Sequence, residues 1–108
     1  MNVKISDTSF NIQVTDSFGG RFKGLMGMRE LPKGSGLLLE HCGAIHCGFM
    51  RFTIDAIYLD KDNKVVGKET VKPWGIGKIF KGAVKTLEVN EGEASNIKIG
   101  DEMVVDVE

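Results

Sequence analysis

The chain has 108 residues, the usual size of one domain, so we treat residues 1–108 as a single domain. Hydrophobic residues make up 42% of the sequence and charged residues 27%, a mixture that excludes a disordered or fibrous protein. The 14 Lys and Arg residues and 15 Asp and Glu residues give a formal net charge of -1, so the chain as a whole has no field that attracts nucleic acid or anionic lipid. We therefore expect no nucleic-acid partner and no membrane, and a monomer is favoured.

The amino-terminal sequence lacks the apolar stretch of a secretory signal. No apolar run approaches the roughly 20 residues that a membrane-spanning helix needs. Two cysteines are too few for the disulfide framework of a small secreted domain. Together these features predict a cytoplasmic protein.

The first elements are predicted from hydrophobic periodicity. Apolar and polar residues alternate over residues 3–5 and 10–14, on either side of the polar residues 7–9, which predicts a β-hairpin with one buried face. From Asp16 the apolar residues recur at helical spacing, which predicts a helix over about residues 17–27.

The rest of the chain has mainly strand character, interrupted by glycine- and proline-rich loops at residues 29–36 and 73–77. Short apolar runs predict six further strands: residues 36–40, 45–50, 52–60, 65–71, 84–89 and 104–107. The polar, turn-forming residues 60–64 predict a hairpin loop that leads into the strand 65–71. Asn90 and Glu93 approximate a capping box, which predicts a second short helix to about Ile97. The predicted fold class is mainly β (β-rich α+β), an antiparallel β-sandwich or half-open barrel, jelly-roll-like, with two short helices.

Three segments in fixed order carry a resemblance to a known family. They are residues 21–27 (Arg-Phe-Lys-Gly-Leu-Met-Gly), then His46 through Met50 to Ile54-Asp55, then Pro73-Trp74 with Ala83, Leu87-Glu88, Gly92 and residues 97–101. The ordered set covers about residues 15–105 and resembles the bacterial and archaeal family called domain of unknown function 192 (DUF192), which includes uncharacterised UPF0127-like proteins.

The resemblance implies a β-rich sandwich of jelly-roll or distorted-barrel type with small helices at its edges, and it implies no catalytic mechanism. The sequence departs from the family pattern at two positions. Thr53 stands where a proline is expected, and Gly75 follows Trp74 where an arginine is common. If the family site binds an anion through that arginine, this chain has lost the contact.

Both histidines and both cysteines lie within residues 41–50. Thiolate and imidazole ligands from Cys42, His46 and Cys47 suit Zn, and a thioether from Met50 would suit Cu(I), although the spacing matches no established zinc motif. The same residues leave other interpretations open. The cysteines can be small buried hydrophobes or a disulfide across a hairpin, and Cys47 can be a thiol nucleophile with His46 as its base.

Five residues are candidates for ligand binding: His46, Met50, Arg51, Asp55 and Trp74. His46 and Met50 share a face if their segment is a regular strand, and Arg51 would then flank it as a charged rim. Asp55 interrupts an apolar strand, where a carboxylate either orients a histidine or, more commonly, accepts hydrogen bonds from backbone amides of a nearby turn. Trp74 either plugs the end of the sandwich or lines a cleft.

These residues form no complete catalytic constellation. The leading hypothesis is a non-enzymatic binding module for a small molecule or a peptide segment at one end of the sandwich. The alternative is a metal-binding or thiol-dependent enzyme that uses Cys42, His46, Cys47 and Met50. A third hypothesis is a partner-binding accessory protein without a pocket, which would present an exposed apolar patch.

Overall fold

A computed structural model of the chain describes residues 1–15, 31–40, 52–73 and 75–105. Seven strands lie in these ranges: β1 (Asn2–Ile5), β2 (Thr8–Thr15), β3 (Ser35–Leu39), β4 (Ile54–Leu59), β5 (Val65–Val71), β6 (Lys85–Asn90) and β7 (Met103–Val105). Within the same ranges there is no helix with the length and apolar character needed to cross a membrane. Because the described ranges contain seven strands and no helix, the prediction of a mainly β protein is confirmed.

The seven strands form one mixed sheet in the order β5-β4-β6-β3-β2-β1-β7. Strands β2 and β3 pair in parallel, whereas all other neighbours are antiparallel. A parallel pair needs a long crossover, and residues 16–34 supply one between these two strands. Where an antiparallel β-sandwich or half-open barrel was predicted, the described residues thus form a single sheet of mixed pairing.

Both predicted hairpins are present. Strands β1 and β2 pair through Ile5 and Thr8, and β4 pairs with β5 across residues 60–64. In the second turn the Asp60 carboxylate accepts hydrogen bonds from the backbone N–H groups of the turn, and Asn63 adopts a positive φ of 61°. Asn tolerates this left-handed conformation better than most residues, so the local sequence determines the turn.

The predicted helix from Asn90 to Ile97 is wrong, because residues 91–96 form successive turns. Gly92 has a φ of 90°, which a helix does not permit. Neither predicted capping residue caps a helix. The Asn90 side chain binds the backbone N–H and C=O of Leu31, and the Glu93 carboxylate accepts a hydrogen bond from the N–H of Gly34. The predicted helix at 17–27 and strand at 45–50 lie outside the described residues.

The two faces of the sheet carry separate hydrophobic clusters. The first cluster consists of Val3, Ile5, Phe10, Ile12, Leu38, Ile57, Leu59, Val65, Leu87, Val89, Ala94, Ile97 and Met103. The second cluster consists of Leu31, Leu37, Leu39, Phe52, Ile54, Ala56, Tyr58 and Val71. Strand β4 contributes to both clusters and is buried at all six positions, which explains its nearly continuous apolar sequence.

The sheet curls but does not close. The beginning of β5 meets the segment before β7 through one isolated bridge, between Lys64 and Glu102. Val65 adds two backbone hydrogen bonds to this contact, one to the C=O of Asp101 and one from the N–H of Gly100, both at 2.8 Å. No ladder continues from the bridge in the described part of the chain, so β5 and β7 remain the edges of an open sheet.

Gly67 is required by the close approach of an aromatic ring. Phe80 lies over its backbone, so that a Cβ atom at residue 67 would overlap the ring, and the Phe80 ring in turn packs on Tyr58 with centroids 4.8 Å apart. We predict that Gly67→Ala lowers the free energy of unfolding by about 1–3 kcal/mol because the ring must move. Urea denaturation measures this loss.

The control is the same substitution in a Phe80→Ala background. Without the ring there is no overlap, and the alanine then restricts the unfolded chain, so Gly67→Ala becomes neutral or slightly stabilising. Equal losses in both backgrounds would contradict the proposed contact.

Candidate functional site

Asp55 is the candidate site residue that lies within the described ranges. It is the second residue of β4, and its side chain is only 7% exposed. Oδ1 accepts a hydrogen bond of 2.8 Å from the Thr70 hydroxyl of β5. Oδ2 accepts hydrogen bonds from the backbone N–H groups of Gly92 at 2.9 Å and Ala94 at 3.2 Å. The carboxylate therefore joins two neighbouring strands to the turn that follows β6.

The same turn is also held through its carbonyl groups. Nζ of Lys68, on β5, donates hydrogen bonds to the C=O of Ala94 at 2.9 Å and of Ser95 at 3.5 Å. Asp55 thus binds N–H groups and Lys68 binds C=O groups of the same short backbone segment, residues 92–95. Since three donors already occupy the Asp55 carboxylate, this residue acts as a positioning residue for the turn, as the turn-binding interpretation of its sequence context predicts.

A cleft of about 360 Å³ opens between this turn and β5. Its lining includes Asp55, Lys68, Thr70, Glu91 and Ser95. The volume lies at the small end of the range for ligand pockets, and the lining carries charges of both signs. Such a cleft suits a small polar group better than a large apolar ligand.

The cleft lies at one end of the sheet, which we call the Ile54 end. There β4 begins at Ile54, which pairs with Val71 at the end of β5 and with Asn90 at the end of β6. The Asn90 amide also binds Leu31 through hydrogen bonds of 2.9 Å to Oδ1 and 2.7 Å from Nδ2. Three described segments therefore lie together at this end of the sheet. One begins at Leu31, one leads into Ile54, and one leaves β5 at Val71.

The other candidate residues are outside the described ranges. This holds for the ligand-binding candidates His46, Met50, Arg51 and Trp74, and for the metal-binding candidates Cys42, His46 and Cys47. In the part of the chain that the structure describes, no three His, Cys, Asp or Glu side chains are grouped so as to hold a metal ion.

Glu88 is a candidate that the residue-by-residue sequence analysis missed. It lies on β6, opposite Leu37 of β3 and Ala56 of β4, and therefore faces the second cluster. The side chain is 0% exposed, and neither carboxylate oxygen has a hydrogen-bond partner among the described residues. Burial raises the pKa of Glu88 from its ordinary value of 4.5 to about 7.

A second carboxylate lies on the other side of Ala56. Glu69 of β5 pairs with Ala56, and its Oε2 accepts hydrogen bonds from the Tyr58 hydroxyl at 2.8 Å and the Lys78 backbone N–H at 2.6 Å. The Glu69 carboxylate therefore accepts two hydrogen bonds, whereas the Glu88 carboxyl group accepts none from the described residues. A protonated carboxyl group can both donate and accept a hydrogen bond, so Glu88 is chemically equipped to bind a polar group on this face.

The sequence contained a signal for Glu88. The dipeptide Leu87-Glu88 belongs to the family pattern, although simple alternation assigns Glu88 to a solvated face. The four consecutive residues 86–89 of β6 are all buried, so both faces of this strand are covered. That coverage is a feature of the tertiary structure, which the local sequence does not reveal.

We predict that removing the Asp55 carboxylate is more damaging than removing that of Asp60, although each accepts two backbone N–H hydrogen bonds. Asp55→Ala leaves the N–H groups of Gly92 and of the buried Ala94 without an acceptor and lowers the free energy of unfolding by about 2–4 kcal/mol. Asp60→Ala produces a smaller loss because water replaces the carboxylate in its exposed turn. Urea denaturation measures both, and amide hydrogen exchange at residues 92 and 94 should accelerate in the first variant alone.

The raised pKa of Glu88 predicts a stability that falls as the pH rises. Between pH 4.5 and about 7 the folded protein retains a proton that the unfolded chain has released. The free energy of unfolding therefore decreases across this window, by roughly 3 kcal/mol in total. Glu88→Gln, which has no titrating group at this position, should remove this decrease and unfold at higher denaturant concentration than the unmodified protein at pH 8.

The matched control is Glu91→Gln, which removes an exposed carboxylate three residues away. This variant should keep the decrease of the unmodified protein in urea titrations from pH 4 to 8. An undiminished decrease in Glu88→Gln would show that another group is responsible.

Sequence comparison identifies relatives of the chain. Residues 1–106 match the DUF192 family, described as Uncharacterized ACR, COG1430. UPF0127 protein TK1120 of Thermococcus kodakarensis is 31% identical over 96 residues, covering 76% of this chain and 61% of the relative. A UPF0127 protein of Thermococcus sibiricus is 31% identical over 103 residues, covering 90% of this chain and 67% of the relative. The chain thus spans about three fifths to two thirds of the length of these relatives.

Two crystal structures share the fold. A protein of unknown function from Novosphingobium aromaticivorans DSM 12444 has a TM-score of 0.76 at 20% identity, covering 94% of this chain and 82% of that protein. A protein described as a "putative transcription regulator" from Sinorhizobium meliloti 1021 has a TM-score of 0.69 at 18% identity, covering 94% and 90%. At these identities the likeness concerns the fold alone. The match over residues 1–106, together with the two relatives at 31% identity, shows that the chain belongs to the DUF192 family.

Proposed function

We propose that this chain is a small non-enzymatic binding module, which takes a small molecule or a peptide segment at the Ile54 end of the sheet. The residues proposed to contact the ligand or shape its site are His46, Met50, Arg51, Asp55 and Trp74. The relatives carry names that specify no activity, so the proposal depends on the arrangement of this chain.

The observation that carries the proposal is the pairing of Ile54 with Val71. Arg51 precedes Ile54 by three residues in the sequence, and Trp74 follows Val71 by three. A chain extends by at most about 3.6 Å per residue, so each is tethered within roughly 11 Å of a neighbouring point at one end of the sheet. The segment that contains Arg51 and the segment that contains Trp74 are distant in sequence, but both are attached to the same pair of adjacent residues, Ile54 and Val71.

The cleft beside Asp55 gives further support. It opens at the same end of the sheet, and its wall is fixed by the hydrogen bonds of Asp55 and Lys68 to residues 92–95. A preformed wall lowers the entropy lost when a ligand binds. Because the Asp55 carboxylate is already occupied by donors, the geometry favours binding over acid–base catalysis by this residue.

The alternative function is a metal-binding or thiol-dependent enzyme that uses Cys42, His46, Cys47 and Met50. All four residues lie outside the described ranges, so no described contact favours this alternative. Metal content and thiol reactivity together separate it from the proposal. A resident Zn or Cu ion has a distinctive mass and is removed by chelators, and an activated thiol is alkylated by iodoacetamide at neutral pH.

The test is native mass spectrometry of the protein purified from its own host. We expect the unmodified protein to carry an additional organic mass, and Trp74→Ala and Arg51→Ala to lose at least about nine tenths of its occupancy, equivalent to a tenfold weaker affinity. Lys61→Ala is the matched control, because Lys61 lies in the hairpin turn at the opposite end of β4 and β5.

Circular dichroism establishes that each variant is folded before its occupancy is compared. A protein that carries no organic mass, or retention of that mass in both site variants, would overturn the proposal. An added mass equal to Zn or Cu alone would favour the enzymatic alternative instead.

A further inference from the structure

The loop of residues 72–84 presents two isoleucines to solvent. Ile76 is 76% exposed and Ile79 is 86% exposed, the two highest values among the large hydrophobic side chains of the described ranges. Isolated exposed apolar residues are common on protein surfaces, whereas two large ones within four positions of one loop indicate a contact surface.

Positive charge is concentrated on the same loop. Residues 72–84 contain three lysines and no acidic residue, so the rest of the chain has 11 Lys and Arg residues against all 15 Asp and Glu residues. Lys72, Lys78 and Lys81 are exposed. The net charge of -1 therefore conceals a basic loop on an otherwise acidic protein, and the expectation that no membrane is a partner depended on that whole-chain value.

The backbone of the loop is anchored to the sheet. Phe80 packs on Tyr58 and lies against Gly67, and the backbone N–H of Lys78 donates a hydrogen bond of 2.6 Å to Glu69. These contacts flank Ile79 and hold the loop while leaving the isoleucine in solvent. The exposure of Ile79 is thus a property of a fixed backbone.

We propose that the 72–84 loop binds the surface of an anionic lipid bilayer, with Ile76 and Ile79 entering the boundary between headgroups and acyl chains and Lys72, Lys78 and Lys81 pairing with lipid phosphates. Lysine combined with aliphatic side chains is typical of peripheral membrane contacts. Protein interfaces, in contrast, are depleted of lysine, which argues against an acidic protein as the partner. Trp74 of the proposed ligand site belongs to the same loop, but the five residues named for lipid contact are not among the proposed ligand residues, and the lipid contact does not require that function.

The test is co-sedimentation of the full chain with phosphatidylcholine vesicles that contain or lack phosphatidylserine. We expect binding to the phosphatidylserine vesicles alone, weakened by added salt, because the lysines act at long range. The double variant Ile76→Ser and Ile79→Ser should bind at least about tenfold more weakly, because it removes most of the apolar area that would leave water.

Ile99→Ser is the matched control. Ile99 is 70% exposed and follows Lys98, but it lies near the acidic residues Asp101 and Glu102, and its substitution should leave vesicle binding unchanged. The proposal is overturned if the unmodified protein fails to bind phosphatidylserine vesicles at low salt. It is also overturned if Ile99→Ser weakens binding as much as the double variant Ile76→Ser and Ile79→Ser does. Removal of the organic ligand from the Ile54 end should not alter vesicle binding, so this test and that of the proposed function can fail separately.

Discussion

The fold depends on the burial of its central strands on both faces. Strands β4 and β6 lie between other strands of the sheet, and almost every side chain they carry is removed from water. Strand β4 contributes to both hydrophobic clusters, whereas β6 contributes Leu87 and Val89 to the first. Apolar side chains gain free energy from this burial, whereas any polar side chain needs a partner within the protein. The three buried polar or charged residues of the described ranges, Asp55, Thr86 and Glu88, all lie on these two strands.

Asp55 and Glu88 show two different outcomes of that constraint. Asp55 lies at the first-cluster face, where the turn after β6 comes close enough to donate two backbone N–H groups. Glu88 lies at the second-cluster face between Leu37 and Ala56, and no described donor reaches it. Burial with donors turns a carboxylate into a structural link, and burial without them favours its protonated form. A carboxyl group of the second kind is a candidate for a role in binding or chemistry.

The sequence predicted local structure well and long-range structure only in part. Strand β5 was predicted with its exact bounds, because a clear hairpin turn precedes it and a proline- and glycine-rich loop follows it. The capping-box prediction at Asn90 and Glu93 failed because both side chains bind residues nearly 60 positions away, Leu31 and Gly34, which no local pattern reveals. The parallel pairing of β2 with β3 was missed for the same reason. At the site, the turn-binding role of Asp55 followed from its apolar surroundings, while the burial of Glu88 is visible only in the tertiary structure.

The two ends of the β4–β5 hairpin have different capacities for function. At the hairpin turn, the backbone groups of Asn63 and Val65 bind residues 100–103, so this end is joined to the rest of the sheet. At the Ile54 end the strands diverge into longer segments, and the fixed groups are side chains such as Asp55 and Asn90 that hold the neighbouring turns. Turns held by side chains can differ in sequence and shape without disturbing the ladder, because the strand pairing does not depend on them. The cleft and the basic loop both adjoin the last residues of β5, at the end where strand pairing does not fix the connecting segments.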